Sequence, residues 1–305
     1  MEIDRKELKR QARERMALTD PKFWMVALTF LAMTTGVSWL ISLIPLPGGT
    51  DINTIQIFFQ LLLMLYRAVV SFGMCLWALW TYRQLDPGVN SLMQGFSVAG
   101  RVLLMDLGIY VRIFGWYLLV AMVLSVPLFS LLLTNSSAGF RILTILAFLI
   151  ALLVTIVVIS LRYALAPYLL ADRPDDGPSA PIYRSNALMR GWKMELFKLE
   201  LSFLGWEAVN FLLSAAVMTF FLNQAGLLAV DAVMAAGWED QCTAVIYSTP
   251  VVILSTLVTI PVSLWLLPYR AVARAGFYDA RLRRIPCLGC PCCEGVSLWS
   301  KWSCG

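Results

Sequence analysis

The chain contains no histidine, and this absence excludes several kinds of catalytic site. Without imidazole there is no Ser-His-Asp or Cys-His catalysis and no HExxH zinc hydrolysis, and most imidazole metal sites are excluded as well. The sequence also lacks a GxSxG nucleophile elbow and a Walker A loop. We therefore expect a protein that is not an enzyme and needs no cofactor, and in which energy coupling would require a partner subunit.

Charge is scarce as well. Charged residues make up 14% and apolar residues 59% of the 305 positions, and the mean hydropathy is +0.74. Soluble proteins have about a quarter charged residues. Several apolar runs exceed the roughly 20 residues that a helix needs to cross a bilayer. The sequence thus predicts a polytopic helical membrane protein.

Six apolar stretches follow one another along the chain, at residues 23–44, 55–80, 102–133, 140–161, 194–222 and 243–267. Each is apolar on all sides, as expected where lipid or another helix covers every face. The predicted fold is therefore an all-α bundle of six transmembrane helices. It would occupy residues 23–275, between a basic segment at 1–22 and a Cys-rich cytoplasmic tail at 276–305.

The basic residues predict the orientation of this bundle. Lys and Arg concentrate in the first 22 residues, in the second and fourth connections, and after the sixth stretch, whereas Arg141 alone lies at the edge of the other connections. Cytoplasmic loops retain Lys and Arg, so we expect both termini in the cytoplasm. The expected product is a multi-pass membrane protein with this orientation.

Two cytoplasmic connections resemble each other. Each has a Pro/Gly turn, a short mixed segment and an apolar helix with a Gly-Trp pair, at residues 81–133 and 162–222. This pattern predicts a weak internal repeat with one interfacial helix in each unit, two in all. In the second unit, Ile182, Leu188, Met189 and Trp192 are expected to face the membrane.

The N-terminal segment is expected to be a basic helix with a thin apolar stripe formed by Ile3, Leu8, Ala12 and Met16. One interpretation is that this stripe lies on anionic lipid headgroups. The other is a solvated helix whose charges only set the topology.

Three charged residues fall inside the apolar stretches: Arg67, Arg112 and Glu207. A charge at the bilayer centre costs about 2.5–3.5 kcal/mol unless it is paired or hydrated. We therefore expect an intramembrane polar cluster in which Glu207 lies against Arg67 or Arg112. Such a cluster fixes helix register, or it lines a pocket for an anionic or zwitterionic ligand. Alternatively, Arg112 lies nearer the interface, because the third stretch is about 48 Å long as a helix. Glu207 has the same alternative, because Glu195, Lys198 and Glu200 indicate a solvated cytoplasmic end of the fifth stretch.

Pro250 and Pro261 lie within the sixth stretch. An internal proline frees the carbonyl four residues earlier, so these two positions are candidates for a helix hinge or for a static kink. The motif DRPDDG brings Asp172, Asp175 and Asp176 to one turn, which is either a cation site or the start of a helix.

Five of the seven cysteines lie in the last nineteen residues, and four of them form C-x-x-C-x-C-C at Cys287, Cys290, Cys292 and Cys293. These thiols are candidates for soft-metal binding or redox sensing, or they belong to a disordered appendage. A disulfide staple is not expected in a reducing cytoplasm.

Three segments together resemble one known family: KELKRQARERM, the central PYLLADRPDDGPSAPIYRSNALMRGW with LSFLGW, and the terminal LLPYRAVARAGFYD. The chain is similar over about residues 5–280 to the bacterial family catalogued as domain of unknown function 975. The resemblance implies an uncharacterised multi-span protein of the bacterial cytoplasmic (inner) membrane, with no assigned reaction and no functional residues.

Two functions are compatible with these features. The first is a non-enzymatic accessory or structural membrane protein. The second is a permease or exporter component with a polar path near Arg67 and Glu207. The expected partners are the lipid bilayer and other membrane proteins or further copies of the chain, and we expect no nucleic acid.

Overall fold

The computed structural model describes residues 4–42, 52–85, 87–133, 137–229 and 237–283, and within these ranges all regular structure is helical. The helices are α1 (Arg5–Ala17), α2 (Phe23–Leu31), α3 (Val37–Ser42), α4 (Ile52–Tyr82), α5 (Asn90–Gln94), α6 (Ala99–Leu133), α7 (Ala138–Tyr163), α8 (Ala166–Asp172), α9 (Ala180–Leu188), α10 (Lys193–Leu201), α11 (Leu204–Gln224), α12 (Trp238–Ile246) and α13 (Thr249–Leu282). A π-helical turn, Ala32–Gly36, joins α2 to α3, and a 3₁₀ turn, Gly95–Val98, joins α5 to α6.

Six helical segments of the described chain are long and apolar enough to cross a membrane, which confirms the predicted all-α architecture with six spans. They are Phe23–Ile41, Ile57–Tyr82, Asn90–Leu131, Gly139–Asp172, Leu204–Gln224 and Thr249–Leu282. The third segment includes the short α5, and the fourth includes α8.

The last two spans begin later than expected. The fifth stretch is interrupted at Ser202, where the backbone N–H turns back to the carbonyls of Lys198 and Leu199 at 3.2 and 3.1 Å. The sixth is interrupted after α12, and Ser248 adopts an extended conformation that starts α13. Pro250 therefore lies in the first turn of α13, where a helix does not need its N–H. The prediction of an internal hinge at Pro250 is wrong, whereas Pro261 does lie inside α13 together with Pro268.

Dense packing is concentrated at one end of the molecule, which we call the packed end. It consists of α1, α8, α9 and α10 with the C-terminal halves of α4 and α13. Among the largest fully buried side chains are Trp77, Phe203, Phe277 and Tyr278. By contrast, α11 has no buried residue and much of α6 and α7 is exposed. The spans thus leave apolar surface for lipid or other helices.

The N-terminal helix is part of the packed end. Leu8, Ala12 and Met16 are buried against α4 and α13, so the apolar stripe of α1 faces protein. The expectations that this stripe lies on lipid, or that the helix is merely solvated, are both wrong for these three residues. Ile3 lies outside the described residues.

The stripe expected to face the membrane on the second connection also faces protein. Ile182, Leu188 and Met189 are buried in the core, which corrects the prediction for these positions. Trp192 is partly buried and lies under the guanidinium of Arg281, 4.3 Å from its ring centroid. What α9 exposes instead is Tyr183, whose relative accessibility is 64%.

Two glycines allow the first connection to lie directly on α4. A Cβ atom at Gly73 would be 2.4 Å from the carbonyl oxygen of Leu92, and one at Gly95 would be 2.7 Å from that of Val69. Side chains at these positions would therefore separate the two backbones. The two units of the proposed repeat, 81–133 and 162–222, differ in the helix that carries the Gly-Trp pair: α6 is continuous through Gly115, whereas α10 and α11 are separate helices.

The expected boundary between bundle and tail at residue 275 falls inside α13. This helix continues to Leu282, and Tyr278 and Asp279 are buried at the packed end. Residues 284–305, which include the four cysteines of the C-x-x-C-x-C-C motif, lie outside the described residues.

Candidate functional site

Charged side chains meet at the packed end in two networks. The first, the Asp172 network, joins the ends of α4, α8 and α13. Arg83 donates to both carboxylate oxygens of Asp172, from Nη1 at 2.5 Å and from Nη2 at 3.0 Å. The hydroxyl of Tyr278 donates to Asp172 Oδ2 at 2.6 Å. Asp279 completes the network, with Oδ1 3.4 Å from Arg83 Nε and Oδ2 2.8 Å from Arg283 Nη2.

The Asp172 network is balanced in charge and mostly shielded from solvent. The side chains of Arg83, Asp172 and Asp279 are 21%, 17% and 10% exposed. Burial opposes the charge on Arg83, but the hydrogen bond and the charge of Asp172 outweigh it and raise the pKa of the guanidinium. Tyr278 also stacks on Tyr168 of α8, with ring centroids 5.8 Å apart. The network therefore holds three helix ends in one arrangement.

The second, the Glu200 network, joins α10, α11 and α13. Arg270 donates from Nε to Glu200 at 2.7 Å and from Nη1 to Glu207 at 3.0 Å, and Arg274 donates to the other oxygen of Glu200. Burial by itself would raise the pKa of the Glu200 carboxyl. The hydrogen bonds and charges of Arg274 and Arg270 outweigh that effect, so the pKa lies below its ordinary value.

An aromatic layer adjoins the Glu200 network. The ring of Trp265 lies 5.0 Å from that of Trp206 and 4.8 Å from that of Tyr269, and Tyr269 in turn meets Phe203 edge-on at 5.1 Å. Trp206 directly precedes Glu207, and Tyr269 directly precedes Arg270. Indole and phenol rings concentrate where a bilayer meets water.

The three residues expected to form one intramembrane cluster contact different parts of the molecule. Glu207 pairs with Arg270, so the expected pairing with Arg67 or Arg112 is wrong. Arg112 donates to the carbonyl of Gly108 in its own helix at 2.8 Å, and its guanidinium lies 5.5 Å from the ring centroid of Tyr183. Arg67 donates from Nη2 to Ser38 Oγ of α3 at 2.6 Å.

The aspartates of DRPDDG each meet an arginine. Asp172 belongs to the network described above, Asp175 lies 3.5 Å from Arg101, and Asp176 pairs with Arg184. These contacts favour a turn held by ion pairs over a cation site. The described part of the chain contains no group of three or more His, Cys, Asp or Glu side chains placed to hold a metal ion.

Sequence reasoning missed the partners that matter most at this site. Arg270 and Arg274 counted only as topology signals, although their spacing of four places both on one face of α13. That spacing was the available signal. Their partner Glu200 lies 70 and 74 positions away in the sequence, and only the packing of α10 against the bundle brings it near.

Comparison with known proteins adds the family and nothing finer. No curated protein and no solved structure matches the chain. The sequence matches the family described as Protein of unknown function (DUF975) over residues 1–284, and the chain belongs to that family.

Proposed function

We propose that this chain is a non-enzymatic accessory protein of the bacterial cytoplasmic membrane, which holds or modulates other membrane proteins. The observation that carries the proposal is the separation of Arg67, Arg112 and Glu207. A permeation path for an anionic or zwitterionic solute needs polar groups gathered around one cavity between helices, whereas these three residues contact different parts of the molecule. Among the described residues, the ion pairs that link different helices lie at the packed end.

The division of the molecule into a packed end and exposed spans supports the same proposal. Two networks and a buried core hold the packed end together, whereas α7 exposes a row of large apolar side chains that includes Leu146, Leu149, Ile150 and Leu153. A rigid end with open membrane faces is suited to presenting those faces to lipid or to a partner helix. A transporter, by contrast, closes its helices around a substrate site.

In the proposed topology the packed end lies on the cytoplasmic side, with both termini. The basic residues favour this side, and the aromatic layer of Trp206, Trp265 and Tyr269 favours a bilayer boundary just below the Glu200 network. Glu207 and Arg112 would then be interfacial, and α5 and α9 would be the two interfacial helices. In a variant that retains Cys290 as its single cysteine, a membrane-impermeant thiol reagent should label this cysteine in permeabilised cells but not in intact cells. Labelling in intact cells would mean that the topology is the reverse of the one proposed.

Site-specific photo-crosslinking tests the accessory role. A photoreactive amino acid at Leu149 or Leu153, which are 54% and 61% exposed, should give discrete crosslinks to one membrane protein at native expression level. The same group at Met189, which is fully buried, is the matched control and should give none. Diffuse labelling of lipid alone at both α7 positions contradicts the proposal.

The permease alternative makes a different prediction, which proteoliposomes can test. Vesicles containing the chain alone should not take up labelled phosphate, glutamate or glycine betaine faster than empty vesicles. Uptake that Arg67→Ala abolishes, while the variant still inserts and accumulates, would replace the accessory role with transport.

A further inference from the structure

One face of α4 carries polar side chains through the middle of the membrane span. Gln60, Arg67 and Ser71 are exposed, as is the apolar Met64 between the first two, and the spacing of four, three and four residues places all of them in one row along the helix. We call this row the polar face of α4. Apolar side chains flank it, including Phe58 and Leu61, which are 62% and 55% exposed. The row spans about 16 Å at 1.5 Å per residue.

The charge at the centre of this face is not neutralised within the described part of the chain. Arg67 has a single described hydrogen-bond partner, the Ser38 hydroxyl at 2.6 Å, and it forms no ion pair there. Ser38 is itself bonded to the carbonyl of Thr34 at 2.7 Å. One neutral hydroxyl serves one of the five N–H donors of a guanidinium and leaves its charge uncompensated in hydrocarbon.

The other two polar side chains of the face, Gln60 and Ser71, are exposed, and neither makes a hydrogen bond to any described residue. In hydrocarbon such groups find partners on neighbouring helices, because no water is present to satisfy them. A row of three polar groups at helical spacing matches a helix that runs alongside α4.

A lipid phosphate is poorly placed to compensate Arg67. The guanidinium of Arg67 is bonded to Ser38 Oγ of α3 at 2.6 Å. To reach a headgroup phosphate, the side chain would have to leave Ser38 and extend towards the bilayer boundary. An anion supplied from within the membrane is the complementary group.

A second copy of the chain does not supply that anion from its described spans. Glu207 is already paired with Arg270 at the packed end. Asp106 lies near the start of α6, beside Met105, which is buried in a cluster with Phe72 and Leu76 of α4. Neither carboxylate lies at the depth of Arg67.

We infer that the polar face of α4 binds a transmembrane helix of a partner protein that carries an Asp or Glu near its middle, against Arg67. The π-helical turn Ala32–Gly36 lies against α4 and just before Ser38, and such turns are frequent at functional sites. The inference rests on the proposed accessory role and specifies the chemistry of its partner.

Model peptides in vesicles test this inference. The full chain, labelled with a donor fluorophore, is reconstituted in phosphatidylcholine vesicles with a poly-leucine transmembrane peptide that carries an acceptor and one central Asp. A second peptide with Leu at the centre is the control. Energy transfer should show at least tenfold tighter association of the Asp peptide. Arg67→Gln should reduce that association to the level of the Leu peptide, and Arg67→Lys should retain part of it.

Two further variants test whether peptide binding depends on the polar face of α4 or on any arginine of the membrane-spanning helices. Arg112→Gln removes the arginine of α6 that lies at the interface in the proposed topology, and it should leave Asp-peptide binding unchanged. Gln60→Leu should weaken it about two- to threefold. If Arg67→Gln does not insert, the comparison of Asp and Leu peptides on the unaltered chain still decides the matter.

Three results would overturn the inference. The first is equal binding of both peptides, or binding that Arg67→Gln does not change. The second is Arg67-dependent enrichment of phosphatidylglycerol around the chain without Asp-peptide binding, which would make a lipid the occupant. The third is Arg67-dependent energy transfer between copies of the chain, which would make a second copy the occupant. If any of these results occurs while α7 still crosslinks to a membrane protein, the binding function of the polar face is rejected and the accessory role stands. If α7 gives no such crosslinks, the accessory role is rejected.

Discussion

Replacing Asp172 by Asn tests whether the Asp172 network holds the packed end together. Asn keeps the shape of the side chain but loses its charge, so Arg83 loses the bidentate contact at 2.5 and 3.0 Å and Tyr278 loses an anionic acceptor at 2.6 Å. Removing one partner of a buried pair costs roughly 3–5 kcal/mol. Arg83 is 21% exposed and keeps Asp279 at 3.4 Å, which reduces the expected loss to about 2 kcal/mol.

The assay is equilibrium unfolding of the purified protein in nanodiscs, combined with a double-mutant cycle. Asp172→Asn and Arg83→Gln should each destabilise, and the double variant should lose clearly less than the sum of the two, since the residues act on each other. Asp175→Asn is the matched control in the same turn. Its side chain is 99% exposed and lies 3.5 Å from Arg101, so the expected loss is below about 0.5 kcal/mol. Equal losses for Asp172→Asn and Asp175→Asn would refute the reasoning.

Three more predictions concern the rest of the packed end. Arg274 and Arg270 lower the folded-state pKa of Glu200 from its ordinary 4.5, so its ion pairs stabilise the protein above that pH, and this stabilisation should be lost as the pH falls through the folded-state pKa. In a series of thermal melts at different pH, Glu200→Gln should remove this part of the pH dependence of stability, whereas the exposed Glu14→Gln should not. Gly73→Ala should cost about 1–3 kcal/mol of unfolding free energy, because the new methyl group meets the Leu92 carbonyl oxygen at 2.4 Å. Gly100→Ala is the control and should be neutral or stabilising, because its methyl group meets nothing within 4 Å. A neutral Gly73→Ala would show that α5 does not touch α4. Ala12→Glu should release α1 from the packed end and expose the N-terminal segment to trypsin, while Ala17→Glu on the solvent side should not; unchanged cleavage of Ala12→Glu would mean that α1 is not docked.

The sequence alone determined the all-α class and the number of helices that are long and apolar enough to cross a membrane. Apolar runs of transmembrane length are a local signal, and no distant contact is needed to recognise them. The family resemblance was equally accessible, because it depends on residues that are close in sequence, such as those of the central connection. Boundaries were less secure, as the late start of the last span at Thr249 demonstrates.

Only the tertiary structure decided which charges pair and which apolar stripes face protein. Leu8, Ala12 and Met16 form the same stripe whether it covers lipid or protein, and amphipathicity does not distinguish the two. Glu207 was expected to pair with Arg67 or Arg112, the other charges inside the apolar stretches, but Arg270, 63 positions away, is its partner because α11 packs against α13. Pairing depends on which helices are neighbours, and a sequence of uniformly apolar spans carries little information about that order. The charge at Arg67 was visible in the sequence, whereas its exposure on the polar face of α4 followed only from the packing.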